Sequence, residues 1–281
     1  MTGGSGSPAA FWDARAAAWA EGEADPRSFW IRRAALAAGL VARHAPDGPV
    51  LDVGCGAGGL MALLAGQGRD PLGLDRSPAM IARALAVLAG ILPDAAERLR
   101  VAEADRVPVD GRFASPMAAI VLLGTLAYVP DAGATLARLA GRLAPGGVVI
   151  ATGLQRASPF VAGELLQRIA RQGPGAARDP VARALLSTGL WSGGGGDPAT
   201  GRGARALDRA AAEAGLVPVA RADLWGPGFG VLDRAPAARG ALGRTAARRF
   251  AWCPMAVYRR DEAMPSAASG GQSTGNTAGS V

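Results

Sequence analysis

The sequence predicts an α/β fold with a mostly parallel sheet, on two observations. From Pro49 onward, short apolar runs of strand length alternate with helical segments. The first of these runs, Val50–Val53, passes directly into a glycine-rich turn, Gly54-x-Gly56-x-Gly58, that opens a helix. With 281 residues, the chain fits one large domain or one domain carrying insertions.

In chain order, residues 1–8 are Gly/Ser-rich and predict disorder. Residues 9–46 predict an N-terminal helical cap of two amphipathic helices, Phe11–Trp19 and Phe29–His44, broken near Asp25-Pro26. Their aromatics, Phe11, Trp12, Trp19, Phe29 and Trp30, are dense for a chain with 5% aromatic residues. They read either as helix-to-sheet packing or as a lid over a ligand pocket. Residues 47–260 form the main domain. Its strands fall at Val50–Val53, Pro71–Asp75, Arg100–Ala102, Ala119–Leu123 and Val148–Thr152, with helices at Gly58–Ala65, Ser77–Leu88 and Ala132–Leu143. Ser77-Pro78 is a helix start, serine as N-cap and proline at the first helical position. Pro145-Gly146-Gly147 is a turn that launches the next strand. Residues 157–202, with Gly173-Pro174-Gly175 and Gly193 to Gly196, interrupt the alternation and read as an insertion or lid. A helix at Ala204–Ala214, a strand at Leu216–Asp223 and a last strand near Trp252–Tyr258 complete the domain. The Ser/Gly/Ala-rich residues 261–281 predict a disordered tail.

The formal charge is +7 and every basic side chain is arginine. In an Ala- and Gly-rich chain this reads as the mark of a GC-rich coding sequence; the competing reading is an anionic partner, nucleic acid or membrane. The two cysteines, Cys55 and Cys253, suggest no disulfide framework. Met1 to Ala10 has neither the basic nor the apolar region of a signal peptide, and no apolar run reaches the roughly 18 residues of a membrane span. A cytoplasmic protein is expected.

The chemistry-bearing signal is Asp52-x-Gly54-x-Gly56-x-Gly58, with Asp75 closing the second strand. Glycines let the backbone turn sharply and let a ligand approach main-chain atoms, and the helix that follows presents free N–H groups. An acid at the end of the second strand accepts both hydrogen bonds of a ribose diol. Gly54-x-Gly56-x-x-Gly59 also fits a dinucleotide fingerprint, which leaves an NAD(P)-dependent oxidoreductase open. Against it, Asp52 would lie near a pyrophosphate and repel it, whereas an acid there favours a ligand carrying an ammonium. A helical segment also precedes the first strand.

These segments resemble the class I S-adenosylmethionine-dependent methyltransferase superfamily, most closely its small-molecule branch of quinone-type and natural-product enzymes. The motifs are Leu51-Asp52-Val53-Gly54-Cys55-Gly56-Ala57-Gly58, Gly73-Leu74-Asp75-Arg76-Ser77-Pro78-Ala79-Met80-Ile81, Glu103-Ala104-Asp105-Arg106-Val107-Pro108, Thr125-Leu126-Ala127-Tyr128-Val129-Pro130-Asp131 and Leu143-Ala144-Pro145-Gly146-Gly147. The resemblance covers residues 50 to 152. It implies a Rossmann-like sheet of seven strands, mostly parallel with an antiparallel last strand and helices on both faces, and S-adenosyl-L-methionine as cofactor. It further implies that Asp52 and the loop of Gly54, Cys55 and Gly56 through Gly58 hold the methionine portion. Asp75 would take the ribose hydroxyls, and Arg76 and Met80 would flank the adenine. Glu103, with Ala104 beside it, would face the adenine amine, and Leu123 and Gly124 would line the site near the transferred methyl. The chain departs from the pattern at Ala118, where the family has an acid, at Tyr128, where it often has histidine, and in an extra loop from Gly111 to Pro116.

The one histidine, His44, reads as a helix C-terminal surface residue. The sequence therefore offers no evident general base, and the expected acceptor is one that ionises easily or needs no base. Tyr128 is the candidate polar contact. No metal site is expected, since no His or Cys grouping has ligand spacing. Cys55 reads as a small filler of the glycine loop. The aromatics suit a small aromatic or lipophilic substrate, and the resemblance implies O-methylation as the favoured reaction, with C- or N-methylation as alternatives. Trp191, Trp225 and Phe229 are expected to help cover its pocket. Nucleic acid is a disfavoured substrate, because Leu123-Gly124-Thr125-Leu126 stands where base-amino methyltransferases carry Asn/Asp-Pro-Pro-Tyr/Phe. The arginines of Arg234 to Arg249 read as a solvated face or as a peripheral membrane contact. A non-catalytic binding protein on the same fold is a further alternative, and the oligomeric state is left open.

Overall fold

A computed structural model describes residues 8–24, 28–153, 204–224 and 253–261. Three helices come first: α1 (Pro8–Asp13), α2 (Ala16–Ala24) and α3 (Phe29–His44). Then follow β1 (Pro49–Val53), α4 (Gly59–Gly66), β2 (Asp70–Asp75), α5 (Pro78–Leu88), β3 (Leu99–Val101), β4 (Met117–Leu122), α6 (Ala132–Ala140) and β5 (Leu143–Thr152). The described chain ends with α7 (Ala204–Glu213), β6 (Leu216–Leu224) and β7 (Cys253–Arg260). The seven strands lie in the order β3-β2-β1-β4-β5-β7-β6. All pairs are parallel except those of β7, which runs antiparallel to both β5 and β6.

Burial on both faces explains why the central strands are apolar throughout. Along β4, Ala119 and Val121 face a core with α3 and α4, while Ile120 and Leu122 face the core of α6 and α7. On α3, Ala34, Ala37, Ala38 and Val41 recur at helical spacing and are all buried, so small side chains let this helix lie close to the sheet. α3 is thus a layer of the main fold, while α1 and α2 rest mainly on α3 and α5. The break between those two helices comes at Ala14-Arg15, inside the predicted Phe11–Trp19 helix.

Apart from that split helix, the predicted strands and helices that fall on described residues are found within a few residues of their ends. The Pro145 turn is built into the start of β5, where the single residue Ala118 of β4 stands opposite four residues of β5, 144–147, and Gly146 takes φ +72°. The loop Gly111 to Pro116 contains a short 3-10 turn whose Phe113 is fully buried, so the insertion adds a plug to the core. Ser77 caps α5 as expected, its side chain accepting the Met80 N–H at 3.1 Å. The segment 157–202, Trp225, Phe229, Arg234 to Arg249 and both predicted disordered ends lie outside the described residues. Among the described residues no helix is long and apolar enough to cross a membrane.

Gly73, in the middle of β2, tests how tightly α4 seats on the sheet. A Cβ there would fall 2.4 Å from Met61 Sδ and 3.0 Å from Cys55 Sγ, both in buried side chains. Gly73→Ala is expected to destabilise the fold by about 1–3 kcal/mol, the usual cost of overpacking, as read by urea unfolding.

Candidate functional site

β1 and β4 are neighbours from which the sheet is built outward in both directions, and ligands of open α/β sheets bind at the carboxyl ends of such a pair. Here the loops after β1, β2 and β4 meet. The N–H groups of Gly54 and Cys55 donate to Leu74 O at 2.8 and 3.0 Å. That of Gly56 donates to Asp75 Oδ2 at 3.1 Å, and Ser77 N–H donates to Asp75 Oδ1 at 2.9 Å. Thr125 Oγ1 donates to Val53 O at 2.6 Å across the same loop. Gly54 takes φ +78°, and a Cβ there would lie 2.3 Å from that hydroxyl, so the turn accepts only glycine.

A cavity opens above this floor. Of the predicted residues, Gly54, Gly56, Asp75, Arg76, Met80, Ala104, Leu123, Gly124 and Tyr128 line it. Four others do not. Asp52 lies beneath the loop and is 2% exposed. Cys55 is buried against Met61, Ala84 and Leu88, where it fills space. Gly58, at φ +90°, seats α4 against Ala84, to which a Cβ would come within 3.2 Å. Glu103 stands at the rim and accepts a charged hydrogen bond from Arg76 at 2.5 Å.

The N-terminal aromatics belong to the site. Trp12, Trp19 and Trp30 line the cavity opposite the glycine loop. Trp12 meets Tyr128 and Trp19 edge-on, with ring centres 5.1 and 5.5 Å apart, and Trp19 lies tilted on Trp30 at 4.3 Å. Trp19 Nε1 is only 2.9 Å from where a Cβ on Gly56 would stand, so the helices rest directly on the loop. The two readings of these tryptophans are not exclusive: all three line the cavity, and Trp30 also packs against Cys253 of β7.

Alternation along β1 puts Asp52 on the same face as Val50, the face that α3 covers. α3 runs antiparallel to the strand it precedes, so its first turns reach the carboxyl edge of the sheet. Arg33, from those turns, is 6% exposed and lines the cavity, with Nη1 3.1 Å from a Cβ position on Gly124. Burial pushes the Asp52 carboxyl up to about 8, the negative charge of Glu23 adds to the rise, and Arg33 opposes it. Asp75 is raised by burial, against the lowering effect of its two backbone hydrogen bonds. Glu23 is raised by burial too, opposed by its hydrogen bonds from Trp19 and Gly59. Tyr128 is raised by burial, with Arg33 and Arg15 opposing. Burial holds the Cys55 thiol well above its ordinary range, which leaves it without nucleophilic character at neutral pH.

Sequence reasoning missed Arg33, Glu23, Thr125 and Ala102. Arg33 and Glu23 sit in helices whose other charges are solvated, and their partners lie far along the chain. Thr125 alone carried a signal, its place in the segment after β4. His44 ends α3 at the opposite edge of the sheet from the cavity, its carbonyl accepting from Arg259 at 3.2 Å.

A family model described as "Methyltransferase domain" matches residues 28–220. A trans-aconitate 2-methyltransferase of Methylobacterium radiotolerans is 34% identical over 206 residues, covering 70% of this chain and 68% of that protein. Among solved structures, a Haloferax volcanii methyltransferase in complex with the Trm112 methyltransferase activator superposes with a TM-score of 0.55 at 19% identity, covering 88% of this chain and 96% of the other. Geranyl diphosphate C-methyltransferase of Streptomyces coelicolor A3(2) gives 0.50 at 19% identity, covering 80% and 78%. The two structural likenesses speak for the fold alone.

Proposed function

The chain belongs to the methyltransferase-domain family as a class I S-adenosylmethionine-dependent methyltransferase, and from that premise we propose that it O-methylates a small molecule whose acceptor oxygen is already ionised or ionises readily. The dinucleotide reading of the glycines ends with the family assignment. The observation that carries the proposal is the cavity wall, which holds no histidine among its described residues. A wall of that kind suits an acid, enol or phenol, since an acceptor that is already an anion, or becomes one readily, needs no base in the wall to remove its proton. The relative that acts on trans-aconitate, by its name, is consistent with an anionic acceptor. The tryptophans make the rest of the wall apolar, which suits a planar or lipophilic body.

The donor set fits S-adenosylmethionine, which when bound supplies a methyl group activated on a sulfonium. Asp75, which ends β2 and lines the cavity, is our candidate acceptor for the ribose hydroxyls. Met80, Ala102 and Ala104 offer an apolar seat for the adenine, with Arg76 at its edge. Asp52, beneath the glycine loop, and Arg33, in the wall, are our candidates for the partners of an α-ammonium and an α-carboxylate, with Asp52 becoming the carboxylate when the ammonium draws off its proton. The Arg76–Glu103 pair fixes the rim at the adenine end. Methyl transfer is an in-line displacement, so these residues act mainly by alignment, which supplies roughly 7–11 kcal/mol in well-oriented systems. Tyr128, beside Trp12, is placed to orient the acceptor. We extend the proposal to chain organisation: of the expected cap 9–46, residues 9–24 cover the site while α3 joins the catalytic domain, which runs on to residue 260 with an insertion at about 157–202 that covers the acceptor.

The test is a screen with isotopically labelled donor over matched carboxylic acids, phenols, enols, amines and carbon nucleophiles, with the product linkage read by mass spectrometry. Label on oxygen supports the proposal. Label confined to nitrogen or carbon overturns it while leaving the family assignment intact.

Asp52 makes a separate pH prediction. Its carboxyl titrates near 8 in the fold against an ordinary 3.8, so the folded state holds a proton that the unfolded chain has released. Its contribution to stability is therefore full below about pH 4 and falls as pH rises towards 8. An ammonium bound beside it favours the carboxylate. Binding S-adenosylhomocysteine at pH 7 is expected to release a proton and to tighten between pH 6 and 8. Calorimetry in buffers of different ionisation enthalpy reads the proton, and Asp52→Asn is expected to abolish both effects.

A further inference from the structure

We infer that Glu23 is a positioning residue for donor binding: its carboxylate latches α2 onto the first turn of α4 and so holds the tryptophan wall over the cleft. The inference rests on the reading of this cleft as the donor site.

The need for a latch begins with Gly58. It stands at the N-cap of α4 with φ +90° and packs against Ala84, so no side chain fits there. The first-turn amides of α4 therefore lack the Ser, Thr or Asp that usually caps a helix. Glu23, 36 residues away in sequence, supplies the acceptor instead: its Oε2 takes the Gly59 N–H at 2.9 Å. A carboxylate at a helix N-terminus is also favoured by the helix dipole.

The second oxygen of the same carboxylate orients the wall. Oε1 accepts the Trp19 Nε1–H at 2.9 Å, one turn back on α2. Trp19 in turn stacks on Trp30 and meets Trp12, which leans on Tyr128. One charge thus ties the helix to the glycine loop and fixes the ring nearest Gly56. Asp13, at the end of α1, makes a second and more exposed contact of the same kind at the start of α5, accepting from Ser77 Oγ and from Ala79 N–H at 3.2 Å.

A latch and a plug make opposite predictions. Glu23 is not among the residues that line the cavity, whereas Trp12, Trp19 and Trp30 line it together with Gly56 and Asp75. The cavity is therefore present with the latch closed, and Glu23 does not occupy it. Losing Glu23 should loosen a bound ligand rather than admit it more easily.

Both partners of Glu23 are donors, so only a group with two acceptor oxygens satisfies them; glutamine offers one acceptor and one donor. Product release is measured by stopped-flow tryptophan fluorescence with S-adenosylhomocysteine, and amide exchange of residues 16–24 is measured on the ligand-free protein. Glu23→Ala is expected to speed release and exchange by roughly 10-fold, the scale of one charged hydrogen bond, with Glu23→Gln in between. In a Trp19→Phe background, where one donor is gone, Glu23→Gln is expected to change both rates less than it does alone, because only the loss of charge at the α4 N-terminus remains. Exchange or release in Glu23→Ala equal to wild type, or slower release, overturns the inference. If Glu23→Ala does not fold, Glu23→Gln with and without Trp19→Phe gives the same decision. If the wild type binds no S-adenosylhomocysteine, the donor-site reading fails and the latch as a donor-positioning device falls with it, while the exchange arm still reports whether Glu23 ties α2 to α4.

Discussion

Asp75→Ala is expected to weaken S-adenosylhomocysteine binding by roughly 100-fold or more, the loss of two hydrogen bonds from a charged acceptor at about 1.5–3 kcal/mol each. The carboxylate has two tasks in the structure. It is proposed to accept the ribose hydroxyls, and it already accepts the Gly56 and Ser77 N–H groups that shape the loops on either side of the cleft. Alanine leaves both amides without their acceptor as well as removing the ribose contact. Asp75→Asn separates the two tasks, because it keeps the shape and one acceptor, and an intermediate affinity is expected. Isothermal titration at constant pH reads all three proteins. Affinity in Asp75→Ala within threefold of wild type would sink the assignment of the ribose to this residue.

The parts of the site that were legible in the sequence are those in which function is written into a short stretch of backbone. The glycine turn had to follow β1 directly, because a chain that reverses from strand to helix in a few residues needs positive φ, as at Gly54 and Gly56. Asp75 had to end β2, because the parallel register places that strand end beside the turn, with Val53 opposite Leu74. Ser77-Pro78 announced α5 by capping chemistry alone. Short-range rules of this kind need no tertiary knowledge.

What stayed hidden depends on contacts between distant segments. Glu23 falls just past the predicted Phe11–Trp19 helix and looks like any surface acid until α2 is laid across α4. Arg33 is one of two adjacent arginines in a chain with 30 basic residues, and helical spacing alone does not say that it turns inward while Arg32 does not. The tryptophans were visible as a cluster, yet packing and ligand coverage demand the same residue type at the same spacing. The Pro145 turn was read correctly in chemistry, but its absorption into β5 as an irregularity depends on the register with β4.

Arg33 supports the second large expectation, because it is the buried cation on which the acids of this site depend. Burial draws its guanidinium down from the ordinary arginine range, and the negative charges around it, Glu23 and Asp52 among them, oppose that shift. Arg33→Met keeps much of the stem's volume and removes the charge. Asp52 and Glu23 then lose the cation that favours their ionised forms, and breaking a buried ion cluster on one side costs about 3–5 kcal/mol. Urea unfolding at pH 8 should show a loss of that size, and donor affinity should fall with it, since the proposed partner of the α-carboxylate is gone. The sign with pH is fixed by the acids: as pH falls from 8 to 5, Asp52 takes up its proton and less negative charge is left unopposed. The deficit of Arg33→Met should therefore shrink in acid, and adding Asp52→Asn should recover part of the stability at pH 8 without restoring donor binding. A deficit independent of pH would mean that Arg33 contributes through contacts such as that of its guanidinium over the Trp30 ring, 5.0 Å from the centroid, and its place in the charge design of the site would have to be withdrawn.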